Sequence, residues 1–324
     1  MEKKKPTIGQ IQEYLKKYNP LNLSGALIKL ISEHNHLHYR LEKDDKVFCL
    51  RMINPESYRR GEWIDMPEEH VVLKYLEGTG LGPKSYFVDA ERFVIPLMIQ
   101  EFITDAVCFN DLKPLSKEHL ITTAQAIARL NEQDITPERF PFRKGFTRYS
   151  YLTSIKTWQE RLAIIKKAKQ KDVLEWADKI GKVVDRAAKI LKGFEPLLQK
   201  TSPAFNFDGA HCGNTYWKNN QVIFLDWQKV SYGDPCFTLA RFLTSVGKSG
   251  KVYSSDKELM IETYQTYFVK KANPDFPQLV DQRLFERSVA DLVWVLWRYV
   301  KRGKTEPIDM TPRYRNVEML LEQY

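Results

Sequence analysis

Two neighbouring stretches decide the reading of this chain: Phe205-Asn206-Phe207-Asp208-Gly209-Ala210-His211-Cys212-Gly213-Asn214 and Val222-Ile223-Phe224-Leu225-Asp226-Trp227-Gln228. The second is an apolar run that ends in a carboxylate. A strand there aims Asp226 out of its C-terminal end. Asn214 lies 12 residues earlier, at the start of the same hairpin. One carboxylate and one amide oxygen suit Mg²⁺, a hard cation that takes oxygen ligands and keeps substrate phosphates in its shell. An upstream Asp, here Asp208, can accept the proton of an attacking hydroxyl in phosphoryl transfer.

The surroundings divide into two parts near residue 104. Before it strands dominate, with β-rich runs at 26–32, 37–43 and 46–53 and a tight turn at Asp44-Asp45. Asp65 reads as a helix N-cap, with Pro67 just inside and Glu68 three residues on. That helix carries Val72, Leu73 and Leu76 on one face and stops near Gly78 and Gly80. Strands near 85–88 and 93–98 lead to Gln100-Glu101-Phe102-Ile103. After residue 104 helices take over. Ser116 caps one whose Leu120, Ala124, Ile127 and Leu130 recur at helical spacing. A basic helical region spans 151–199, a short β insert spans 214–230, and the C-terminal third is helical. Five strands and a helix, then a larger helical body, outline an α+β, bilobal, protein-kinase-like fold. The expected lobes are 1–103 for nucleotide and 104–324 for catalysis and acceptor.

At this point the chain resembles the aminoglycoside phosphotransferase and choline kinase superfamily. That family's catalytic loop reads His-Gly/Asn-Asp-x-x-x-x-Asn, followed by Ile-Asp-Trp/Phe and Gly-Asp-Pro-x-x-Asp-Leu-Ala. Here the matching pieces are Leu225-Asp226-Trp227-Gln228 and Gly233-Asp234-Pro235-Cys236-Phe237-Thr238-Leu239-Ala240. The resemblance spans about residues 20–310. It implies a kinase that uses ATP and Mg²⁺ on a small-molecule hydroxyl. Asp208 becomes the catalytic base, and Asn214 and Asp226 the metal ligands. Arg51 stands where protein kinases place their phosphate-binding Lys, and a forked, permanently charged guanidinium suits phosphate oxygens. Glu69 resembles the helix Glu that holds this cation. Glu101 and Ile103 fall on the hinge whose backbone binds adenine. Leu130-Asn131 stands in place of a Leu-His pair that ends a helix of the large lobe.

Three departures matter. Family spacing puts the Asp at position 209, which is Gly209 here, so Asp208 is one residue early. Either an extra residue is absorbed there, with Asn206 in the His position, or the base is missing. The loop between the first two strands reads Ser32-Glu33-His34-Asn35 instead of a Gly-rich cover, and a negative Glu33 suits phosphates only if it points away. Thr238 replaces an Asp that braces the catalytic loop from below. These departures keep a second reading open, a catalytically impaired pseudokinase that binds nucleotide or acts as a scaffold.

The acceptor side is less defined. Trp294 and Trp297 resemble the Trp-x-x-Trp segment of choline and ethanolamine kinases, where indoles face a cation. Core packing explains them equally well, and Arg298 beside them disfavours a cationic acceptor if it points inward. Asp281, Glu286 and Asp291 are the acids an aminoglycoside site would use, or else a solvated helix face. Amino alcohols, sugars and aminoglycoside-like compounds are therefore the candidate acceptors.

Composition excludes other classes. The 324 residues are 43% hydrophobic and 28% charged, a globular balance. A net charge of +9 invites an anionic partner. However, residues 155–200 hold 12 basic and 6 acidic side chains, so much of the excess sits on one helical region. No aromatic-rich nucleic-acid motif accompanies it, so a nucleic-acid partner is not expected. His34, His36 and His38 alternate on a strand but lack further ligands, so an exposed strand edge is expected rather than a metal site. No apolar run approaches the length of a spanning helix, there is no secretory leader pattern, and the four cysteines are scattered. A reducing, cytoplasmic compartment is expected.

Overall fold

The computed structural model describes residues 4–59, 66–140, 148–247, 252–268 and 275–324. In chain order the elements begin with α1 (Ile8–Tyr18), β1 (Leu27–Glu33), β2 (His36–Lys43), β3 (Lys46–Ile53), α2 (Pro55–Arg59), α3 (Met66–Tyr75), β4 (Ser85–Asp89), β5 (Leu97–Glu101) and β6 (Val107–Cys108). There follow α4 (Lys117–Asn131), α5 (Tyr151–Ile165), α6 (Lys171–Lys200), β7 (Ala204–Phe207), β8 (Thr215–Lys218), β9 (Gln221–Phe224) and β10 (Val230–Gly233). The chain ends with α7 (Cys236–Val246), α8 (Ser254–Tyr267), α9 (Phe276–Lys301) and α10 (Thr311–Leu321). The expected α+β, kinase-like architecture is present: a unit built on an antiparallel sheet and a helical one. The first comprises Met1–Val107 and Tyr216–Lys229, the second Cys108–Thr215 and Val230–Tyr324.

In the first unit the sheet runs β1-β2-β3-β5-β4, every pair antiparallel. The turn at Asp44 and Asp45 has φ of 49° and 59°, the left-handed pair that a two-residue hairpin needs. Asn219 and Asn220 repeat this between β8 and β9, with φ of 49° and 58°. Short polar side chains tolerate that region, so both turns are set locally. Period-two alternation then divides β2 and β3 between two faces. Leu37, Tyr39, Leu41, Leu50 and Met52 join Ile11, Tyr14 and Leu15 of α1 in one core. His36, His38, Cys49 and Arg51 fall on the other face.

Helix α1 has no counterpart in the sequence reading. Its start is a capping box: Thr7 Oγ1 accepts from the Gln10 amide at 3.2 Å, and Gln10 Oε1 accepts from the Thr7 amide at 2.9 Å. The expected Asp65 cap lies outside the described residues. Strand β5 starts at Leu97, not near residue 93 as expected. Pro96 has no N–H to give a ladder, so residues 93–96 approach the sheet as a loop.

The second unit has two bodies of packing. Helices α5, α6, α9 and α10 share a core that includes Trp158, Ile180, Leu191, Phe285 and Leu296. Around the short β7–β10 pair stand α4, α7 and α8. Ser116 caps α4 as expected, accepting from the His119 amide at 3.3 Å. No described helix is long and apolar enough to cross a membrane.

Candidate active site

The first unit concentrates its buried charge on Arg51. Strand alternation turns Arg51 away from the α1 core, and α3 brings Glu69 from its first turn. Arg51 Nη1 donates to Glu69 Oε1 at 2.5 Å, and Nη2 donates to Asp226 Oδ1 at 2.5 Å. Glu69 Oε1 also accepts from the Trp227 amide at 2.9 Å. Arg51 and Glu69 side chains are 3% and 1% exposed, whereas Asp226 is 44% exposed. Burial alone depresses Arg51, but the two carboxylates hold it above the ordinary arginine range, so it stays protonated. Burial raises Asp226, yet Arg51 and then His36 pull its carboxyl below the usual range.

Asp226 has φ of 68°. A non-glycine residue held in the left-handed region marks a backbone constrained by its surroundings. The constraint is visible in the next residue. Trp227 is fully buried, its indole Nε1 donating to the Phe224 carbonyl at 2.8 Å. A Cβ on Gly82 would stand 2.6 Å from that same Nε1, so only glycine lets the backbone approach there.

His36 and Gln228 complete the cluster, and neither was assigned to it from sequence. The His36 ring lies 3.4 Å from Arg51 Nη2 at Nδ1 and 2.5 Å from Gln228 Nε2 at Nε2. Burial and then Arg51 push His36 down to about 2, so it is neutral. The expectation of exposure holds for His34 and is corrected for His36 and His38. Strand β2 is interior to the sheet, His36 is buried, and His38 meets Ser32 Oγ at 2.8 Å. The signal was available: His38 pairs with Arg51 in register, and His36 shares its face. Among the described residues no group of three or more His, Cys, Asp or Glu could hold a metal.

Glu33 does point to a cation other than a ligand, forming an ion pair with Lys5. Glu101 ends β5 opposite Phe48, and its amide donates to the Lys84 carbonyl at 2.8 Å. Ile103 follows two residues beyond the strand and is half-buried.

The second unit holds the loop from Asp208 to Asn214. The Ala210 amide donates to the Phe207 carbonyl at 3.2 Å, which makes Asp208 and Gly209 the central pair of a turn. Asp208 Oδ1 accepts from Ser231 Oγ at 2.6 Å. Asn214 Nδ2 donates to the Gly209 carbonyl at 3.1 Å. That leaves its Oδ1, the hard oxygen a Mg²⁺ ligand needs, pointing elsewhere. The half-exposed Asp226 carboxylate has the same donor chemistry.

A model of the phosphotransferase enzyme family matches residues 28–253, more than two thirds of the chain. The chain belongs to this family. Solved structures agree in fold. A choline/ethanolamine kinase family protein from Mesorhizobium loti is 17% identical, with TM-score 0.64, covering 97% of this chain and 94% of that one. Choline kinase from Cryptosporidium parvum Iowa II is 16% identical, with TM-score 0.67, covering 98% and 95%. A spectinomycin phosphotransferase in complex with ADP and spectinomycin is 12% identical, with TM-score 0.63, covering 98% of each chain. No curated protein matches the sequence significantly.

Within the phosphotransferase family, Thr238 was expected to brace the catalytic loop more weakly than Asp. In place, it is fully buried, accepts from the Phe207 amide at 3.0 Å and donates to Asn206 Oδ1 at 3.0 Å. Asn206 also donates to the Asp234 carbonyl at 2.9 Å, and Asn131 Nδ2 donates to the Phe205 carbonyl at 2.7 Å. Tyr264 completes the chain by donating to Asn131 Oδ1 at 2.9 Å. A neutral network of Thr, Asn and Tyr thus supports the residues just before Asp208. Asp234 has a structural partner, since it is fully buried against Arg283.

Trp294 and Trp297 sit on α9, both half-buried. The Arg298 guanidinium lies 4.8 Å from the Trp294 ring centre, and that of Arg161 lies 5.2 Å from Trp297. Each indole therefore already carries a cation from this chain. The three candidate acids are paired as well: Asp281 with Lys257 at 2.7 Å, Glu286 with Ser154 at 2.7 Å, and Asp291 with Arg313 at 3.0 Å.

Proposed function

We propose that the protein is an ATP- and Mg²⁺-dependent kinase that transfers the γ-phosphate to a hydroxyl of a small molecule. The observation that carries this reading is Arg51, buried and charged, with Glu69 fixed behind it and the half-exposed Asp226 in front. A guanidinium held this way has a permanent partner and an exchangeable one. Glu69 remains in place when phosphates arrive, while Asp226 is free to turn to a metal ion. Asn214 and Asp226 are the residues that would hold Mg²⁺, which when bound would neutralise charge on the phosphates. Arg51 grips the phosphate oxygens, and the backbone at Glu101 and Ile103 receives the adenine.

Asp208 accepts the proton as the acceptor hydroxyl attacks phosphorus and ADP departs. Its bond from Ser231 orients the carboxylate without neutralising it. The extra residue before Asn214 is taken up by the Asp208-Gly209 turn, which supports Asp208 as the displaced base. Positioning and electrostatic stabilisation then provide most of the acceleration. Amino alcohols, sugars and aminoglycoside-like compounds are the acceptor classes named by sequence. The free cysteines support a reducing, cytoplasmic setting.

The test is transfer from labelled ATP to a panel of hydroxyl compounds, with Asp208→Ala alongside. General-base removal should slow transfer by roughly 10²–10⁴-fold while ATP still raises the melting temperature. Turnover unchanged in Asp208→Ala would remove this residue from the mechanism. ATP binding with no transfer to any acceptor would favour the nucleotide-binding scaffold.

A further inference from the structure

The helical unit contains a cavity of about 300 Å³ beside the Asp208–Asn214 loop. Its lining includes His211 and three arginines, Arg241, Arg287 and Arg313, with Asp291 as the single carboxylate among the described residues. Asp291 is bound to Arg313 through Nε at 3.0 Å. Among the described residues, no carboxylate lies within ion-pair distance of Arg241 or Arg287. Arg287 Nε is buried and has no acceptor among them. Arg241 Nε donates to the backbone carbonyl of Asp208 at 3.3 Å, which ties the cavity wall to the catalytic loop.

Clustered guanidiniums repel one another, and burying them unpaired is costly. Burial and then Arg287 push Arg241 down to about 10, low for this side chain. Burial and then Arg287 also lower Arg161, on the neighbouring helix. Such an arrangement is relieved by a bound anion, and the fork of Arg matches the oxygens of carboxylate or phosphate. A cationic acceptor would meet the opposite field. The acids that could receive one are occupied by Lys257, Ser154 and Arg313, and the indole faces by Arg161 and Arg298.

We propose that this cavity binds an anionic group of the acceptor, so that the phosphorylated molecule is a small hydroxy compound bearing a carboxylate or a phosphate. The inference rests on the kinase reading above and replaces its cationic acceptor classes, amino alcohols and aminoglycosides, with an anionic one. Arg241 and Arg287 hold the anionic end, and the hydroxyl lies toward Asp208.

The probes are glycerate, glycerol 3-phosphate, glycerol, ethanolamine and choline, each titrated calorimetrically against the full chain without nucleotide, then offered with labelled ATP and Mg²⁺. The two anionic probes are expected to bind and the other three to bind much more weakly. Which anion binds tighter separates a carboxylate from a phosphate site. Loss of one charge-assisted contact in Arg241→Gln or Arg287→Gln should weaken anion binding about 10–100-fold. Asp291→Asn should strengthen it, an increase that a folding defect cannot imitate. Binding of ethanolamine or choline in preference to the anions would overturn the proposal, as would anion affinity unchanged in both arginine variants. Anion binding abolished by a non-hydrolysable ATP analogue would also overturn it, because the cavity would then be a nucleotide subsite. Arginine-dependent anion binding without transfer to any acceptor would instead overturn the kinase reading and leave the anion site standing. Transfer to choline with no anion bound would do the reverse.

Discussion

Arg51 shows how a single residue can be decided by its position on a strand. In solution it is an ordinary cation. On β3 it faces away from the α1 core and becomes a buried charge whose partners must come from elsewhere in the chain. Breaking such a pair leaves an uncompensated ion. Arg51→Leu should therefore lower unfolding free energy by roughly 3–5 kcal/mol, read by urea denaturation. Adding Glu69→Leu should recover a large part of that loss, and a double mutant no better than the single one would refute the pairing argument. His36 has a pH consequence. Its folded pKa of about 2 is below the unfolded value near 6.5, so the unfolded chain binds the extra proton between them. Its contribution is complete above pH 6.5 and is lost as pH falls toward 2. Stability should drop from pH 7 to pH 5 with a slope of up to about 1.4 kcal/mol per unit from this group. A series of urea titrations on His36→Gln should show a shallower slope; an identical slope would contradict the buried neutral imidazole.

At the scale of elements, local chemistry and tertiary choice separate clearly. The turns at Asp44-Asp45, the Ser116 cap and the helical spacing of α4 were legible, because each depends on residues within a few positions. Helix α1 also starts on a local signal, the capping box of Thr7 and Gln10, which the sequence reading did not include. The start of β5 was misplaced because apolar residues before Pro96 looked like strand, whereas a ladder needs N–H donors. The support beneath the Asp208–Asn214 loop was invisible. Thr238, Asn206, Asn131 and Tyr264 lie far apart in sequence and meet only when β7, α4, α7 and α8 assemble. Thr238→Val keeps shape but leaves the Phe207 amide without its acceptor. It should cost about 1–3 kcal/mol in thermal or urea unfolding, and its transfer rate should fall more than its ATP affinity. No change in stability would mean that the amide finds another partner.

At the scale of the molecule, the charge of +9 divides into three kinds. The lysines of α6 are solvated, opposite a face of Val173, Ala177, Ile180, Val184 and Leu191 that builds the core. Replacing Lys182, Lys189 and Lys192 by Gln should shift unfolding free energy by no more than about 0.5 kcal/mol each, with transfer unaffected. A loss of ATP or acceptor binding in that variant would reveal a role for this face. Arg51 is a buried, paired cation, and Arg241 and Arg287 are clustered with no carboxylate among the described residues at ion-pair distance. The proposed function and the proposed anion site draw on the last two kinds alone.

By itself the sequence determined the family, the α+β class and most helices and strands. It also presented Asp208, Asn214, Asp226, Arg51 and Glu69, because motif spacing and hydrophobic period are written along the chain. The tertiary structure decided which of those charges are paired. It placed the 216–229 hairpin with the N-terminal unit, so that Asp226 meets an arginine 175 positions away. It turned two candidate acids and two tryptophans toward cations of this same chain and the third acid, Glu286, toward Ser154, and it gathered three arginines around one cavity. Charge pairing acts through space at a few ångströms, and distance along a sequence does not measure it.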